Sequence, residues 1–162
     1  MDPASTAIGL AASLATLSGI VLESIKILYK AQEHFKEAPR DIGRLCWQLK
    51  EFESLLKEVR SQIDASYEPR GSTVHTLVAQ SVQHMQEELG QFHLRVQQLH
   101  PILDSHTTRR KRFGLRLRHV FTESRVSQYQ QLISSYSGTL TLLLTLNAKY
   151  VYSISSTRAL MT

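Results

Sequence analysis

The chain has 162 residues, enough for one domain with a substantial core, and its 42% hydrophobic content excludes a disordered chain. With Cys46 as its only cysteine it forms no internal disulfide, which suits a reducing compartment. The net charge of +5 is local: Arg109, Arg110, Lys111, Arg112, Arg116 and Arg118 lie in one acid-free stretch, and without those six the remaining 13 bases nearly match 14 acids.

The first predicted helix covers residues 3–36. Its opening, Pro3 to Leu22, contains no charged side chain and reads PASTAIGLAASLATLSGIVL. Asp2 is placed to cap it, and Pro3 suits the first helical position, where no amide donor is needed. Twenty helical residues reach about 30 Å, the thickness of a bilayer's hydrocarbon layer. The large apolar residues Ile8, Leu10, Leu14, Leu17, Ile20, Val21 and Leu22 together favour mid-membrane insertion by about 2 to 4 kcal/mol. Ala, Ser, Thr, Gly and Pro fill the rest, and the polar ones oppose that sum. Insertion of a single copy is therefore nearly balanced, and a soluble core is an equally good home. The segment has neither the basic start of a secretory signal nor the arginines of a mitochondrial presequence. Being apolar nearly all round, it is expected to bury several sides, at the centre of a bundle or capping one end.

Ala38-Pro39 breaks this helix, and the second covers 39–65. Ile42, Leu45, Leu49, Phe52, Leu56, Val59 and Ile63 recur at steps of three and four, which turns one stripe inward. Trp47 lies off that stripe and reads as lateral packing against another helix. The third helix covers 72–100, after a Pro69–Gly71 break, with Val78, Val82, Met85, Leu89, Phe92, Val96, Leu99 and Leu103 as its stripe and a glutamine-rich outer face. Pro101 ends or kinks it. Residues 105–120 form a basic connection with room for a short helix, which Gly114 disfavours. The last helix covers 122–150, with Thr122 as cap, Phe121 and Val126 as a hydrophobic staple, and Val126, Tyr129, Ile133, Tyr136, Leu140 and Leu143 as its stripe. The expected fold is all-α: a single-domain antiparallel bundle of four long helices, with one short helix optional.

Motifs for chemistry are missing. The seven histidines form no His-Glu-x-x-His helix, Cys46 has no cysteine partner, and His93 with His100 is too few ligands for zinc. No catalytic, cofactor or metal residue is assigned, and the chain is expected not to be an enzyme. The basic stretch reads as a solvated connection, as an anionic-lipid contact through Arg109, Arg110, Lys111, Arg112, Arg116 and Arg118, or as a nucleic-acid contact with Phe113 stacking. No DNA- or RNA-binding module surrounds it, and the same chain carries a span-length apolar helix, so lipid ranks first. Small-residue pairs such as Gly9/Ser13 and Ala11/Ala15 permit close helix contact in lipid and in a soluble bundle alike.

Three segments, MDPASTAIGLAASLATLSGIVLESIKILYKA, APRDIGRLCWQLKEFESLL and RLRHVFTESRVSQYQQLISSYSGTLTLLLTL, together resemble the fungal HeLo-like N-terminal domains of NOD-like (STAND) receptors across nearly the whole chain. The resemblance implies a helical bundle acting as a signalling or cell-death effector. Such a domain is cytoplasmic at rest; on activation it self-associates and its N-terminal helix disrupts the plasma membrane. That role falls here on Pro3–Leu22. The chain departs from the receptors in having no Gly-x-x-x-x-Gly-Lys-Ser/Thr loop, so the implied nucleotide-binding module would lie in a longer chain or a separate partner. The competing reading is a homo-oligomerisation or adaptor module with no membrane activity.

Overall fold

A computed structural model describes residues 3–34, 40–65, 73–99 and 110–159, and its regular elements are all helical. In chain order they are α1 (Pro3–His34), α2 (Arg40–Ala65), α3 (Thr73–Gln97), α4 (Arg110–Val120) and α5 (Glu123–Ala159). The four long helices make the expected all-α bundle. Their inward stripes are the periodic residues: Ile42, Leu45, Leu49, Phe52, Leu56 and Val59 on α2 are all buried, as are Val78, Val82, Met85, Leu89, Phe92 and Val96 on α3. Leu103 lies outside the described residues.

The chain reverses direction from one long helix to the next, but the spatial order differs from the sequence order. α1 packs on α2 and α3, and α5 packs on α2 and, more sparsely, on α3. This leaves α2 and α3 on one diagonal and α1 and α5 on the other. Cys46 approaches the Ile25 carbonyl, while a Cβ on Gly43 would come within 2.7 Å of Gln32 Nε2, so α1 and α2 are antiparallel and closely set. Tyr136 meets Glu88 and Tyr129 meets Phe92, which makes α3 and α5 antiparallel. Gln130 Nε2 donates to the Asp41 carbonyl and Asn147 Nδ2 to Gln62 Oε1, so α2 and α5 run parallel. The last helix therefore begins at the end of the bundle where α1 finishes.

Local chemistry sets the helix ends. Pro101 lies shortly after α3, whose last turn tightens through Gln98 N–H to the Arg95 carbonyl and Leu99 N–H to that of Val96. Thr122 caps α5, its Oγ1 accepting from the Arg125 amide at 3.4 Å, with Phe121 and Val126 both buried beside it. α4 forms despite Gly114, because burying Leu117, Val120 and Phe121 outweighs the roughly 1 kcal/mol that a mid-helix glycine costs. α5 runs nine residues beyond 150. The hydroxyls of Thr139, Thr141, Thr145 and Thr157 each bond the carbonyl four residues back, so these side chains are satisfied within the helix.

Two expectations are corrected. Trp47, expected to pack laterally against another helix, is instead 58% exposed. Nor is α1 central or an end cap. It occupies a corner, held by α2 and α3, and its open side carries Ala11, Ala15 and Gly19, small residues that expose little apolar area each.

Candidate functional site: the docked apolar helix and its clasp

The apolar half of α1 is docked against the bundle. Leu10, Leu14, Leu17 and Val21 are buried in the common core, and Ile20 is partly buried against it. Leu22 instead faces outward, 40% exposed, because it falls on the outer side of the α1–α2 seam. The Ile8 side chain lies outside the described residues. From Gly9 to Glu33 the helix is long and apolar enough to cross a membrane by length and composition, yet less than half of its most apolar window is buried. The core helix of a soluble protein passes the same test of length and composition, so the partial burial is the more informative observation.

Where the apolar stretch ends, α1 is fastened to α3 by a buried polar contact that periodicity did not reveal. Ser24 is fully buried, and its Oγ lies 2.9 Å from His93 Nδ1 and 2.8 Å from the Ile20 carbonyl. With one hydroxyl proton, Ser24 either donates to Ile20 and accepts from His93, or donates to His93. Both arrangements satisfy the pair. Across the ring, His93 Nε2 faces Glu23 Oε2 at 3.7 Å, too long for a hydrogen bond, and the Glu23 carboxylate is more than half exposed. Ser, His and Glu thus converge, but a fully buried hydroxyl gives no substrate access to a nucleophile, and the geometry is that of a helix-to-helix clasp. The sequence signal for it was Ser24 and His93, each polar and each on the inward half of its helix. Within α2, buried Glu53 is met by Lys57 Nζ, one turn on, at 2.9 Å.

Cys46 is buried beside α1, and burial pushes its thiol upward against a smaller opposing effect of Lys50. No group of three or more His, Cys, Asp or Glu side chains that could hold a metal occurs among the described residues.

Five of the six basic residues belong to an element other than the apolar helix. Arg110, Lys111, Arg112, Arg116 and Arg118 fall on α4; Arg118 is exposed, and the side chains of the other four, with all of Arg109, lie outside the described residues. Arg125 donates to the His119 carbonyl at 3.2 Å, which ties the end of α4 to the first turn of α5. That is the end of the bundle where α1 finishes. The 32 residues of α1 extend about 48 Å, so the N-terminus of α1 lies at the opposite end.

The fold and the docked helix define an all-α bundle domain with a span-length helix at one corner. A family model described as pigment biosynthesis cluster protein PigL N-terminal matches residues 5–157. The chain belongs to this PigL N-terminal family. No curated protein and no solved structure matches it.

Proposed function

We propose that this domain is a non-enzymatic, membrane-targeting signalling effector of the HeLo-like type, which acts by self-association and release of α1. The observation that carries the reading is α1 itself: it is uncharged from Pro3 to Leu22, and from Gly9 to Glu33 it is long and apolar enough to span, docked at a corner with less than half of its most apolar window buried. Undocking exposes Leu10, Leu14, Leu17 and Val21, a cost that insertion into lipid offsets. Several nearly balanced spans side by side cross together more readily than one, so activation is coupled to oligomerisation, by a nucleotide-binding receptor module in the same or another chain. The basic α4 region attracts anionic lipid at the plasma membrane. Membership of the PigL N-terminal family is compatible with the HeLo-like resemblance of the sequence.

The test is dye release from anionic liposomes by the intact chain and by a form lacking residues 1–22. Release by the intact chain alone is expected. Equal release by both forms, or none by either, refutes the reading and leaves an adaptor module in its place.

A further inference from the structure

The outer side of the α1–α2 seam carries a feature that lies outside the buried stripe of α1. Leu22, Tyr29 and Trp47 are all large, apolar or amphipathic, and 40 to 58% exposed. Leu22 and Tyr29 are seven residues apart, on one face of α1. Trp47 and Lys50 are three apart on α2, and Lys50 Nζ sits 4.9 Å above the Tyr29 ring, which joins the two helices into one surface. Lys26, exposed on α1 between Leu22 and Tyr29, adds a second cation. Glu33, one turn beyond Tyr29, and Glu51, next to Lys50, are exposed as well. Toward its N-terminus the same side of α1 continues as Gly19, Ala15 and Ala11, uncharged and open.

We propose that this α1–α2 face is a docking surface for an anionic lipid bilayer, on which the resting domain lies flat before α1 is released. The inference rests on the membrane reading above and adds the orientation. Rings with a polar edge settle at the headgroup level, where an apolar body and a wet tip are both accommodated. Lysines beside them add attraction to acidic headgroups. Orientation gives a second argument. A domain attached end-on through α4 would hold the start of α1 roughly a helix length away from the lipid. Attached along the α1–α2 face, α1 lies parallel to the surface over its whole length.

Trp47 is the chain's only tryptophan, so tryptophan emission, excited selectively over the tyrosines, reports on this patch alone. The experiment titrates the full chain with vesicles of phosphatidylcholine and phosphatidylserine in equal parts, with pure phosphatidylcholine as reference, and measures binding by co-sedimentation. The expected result on anionic vesicles is a blue-shifted Trp47 emission that lipid-borne nitroxide quenches. Replacing Lys26→Glu and Lys50→Glu together should weaken binding by at least about thirtyfold, since loss of two lysine contacts alone accounts for that factor. Tyr29→Ser should weaken binding as well, with helical circular dichroism unchanged in every variant. Binding to anionic vesicles with Trp47 unshifted and unquenched overturns the docking surface but leaves membrane attachment standing. No binding at all overturns both. Equal binding to pure phosphatidylcholine overturns the role of the lysines. A blue shift on concentrating the protein without vesicles makes the face an interface between two copies instead.

Discussion

Replacing Ser24→Ala tests whether the buried clasp fastens α1 to α3. The hydroxyl is fully buried and touches two acceptor-capable groups, the Ile20 carbonyl at 2.8 Å and His93 Nδ1 at 2.9 Å. The Ile20 carbonyl is a helix acceptor and keeps its backbone partner. His93, only 8% exposed, does not: its Nδ1 is left facing a methyl group. An unsatisfied buried polar group costs about 1 to 3 kcal/mol. For a chain of this size that lowers the melting temperature by roughly 2 to 4 °C per kcal/mol. His93→Leu removes the other half of the contact and leaves the Ser24 hydroxyl on Ile20. Adding Ser24→Ala to that background should then cost little, because no ring nitrogen remains to be orphaned. The two single changes are thus non-additive, with a coupling of about 1 to 2 kcal/mol. Urea unfolding of all four forms, followed by helical circular dichroism, measures it. If Ser24→Ala costs as much in the His93→Leu background as it does with His93 in place, the clasp carries no coupling energy and the reasoning fails. On the proposed mechanism a weakened clasp also speeds liposome dye release, since undocking of α1 precedes insertion.

Tyr136 provides a pH test. Burial, the hydrogen bond from its hydroxyl to Glu88 at 3.0 Å and the charge of that carboxylate all push its ionisation upward. The unfolded chain releases this proton near the ordinary tyrosine value of about 10, while the folded chain retains it. The contribution is fully present below that pH and is lost as pH rises toward the folded value, so stability falls with alkalinity. Tyr136→Phe should flatten that fall in urea midpoints measured on both sides of the tyrosine value; an unchanged slope refutes the assignment. Cys46, buried and with its thiol held upward, should react slowly with a thiol reagent at neutral pH and rapidly in denaturant. Immediate full labelling of the native chain would contradict its place beside α1. Changing Arg109, Arg110, Lys111 and Arg112 to Glu should weaken attachment to anionic vesicles while leaving the helical spectrum intact; undiminished attachment removes α4 from the lipid contact.

By itself the sequence determined which faces turn inward. The three-and-four spacing of Ile42 through Val59 and of Val78 through Val96 is a property of helical geometry, so the buried stripes follow without knowledge of any partner. The Thr122 cap and the uncharged length of α1 are local in the same sense. The short helix α4 was legible only as an option and the last helix only to about residue 150, because the local propensities of Gly114 and of the threonine-rich stretch are weak; burial of Leu117, Val120 and Phe121 decided for α4. Periodicity names an inward face but not the helix it meets. Only the tertiary structure placed α2 diagonally from α3, α5 parallel to α2, and α1 at a corner. That order decided that Ser24 meets His93, that Leu22 falls outside while Val21 falls inside, and that Lys50 lies over the Tyr29 ring. Each of these pairings joins residues far apart in the chain or splits neighbours within it, and packing between helices, not spacing along one, determines which.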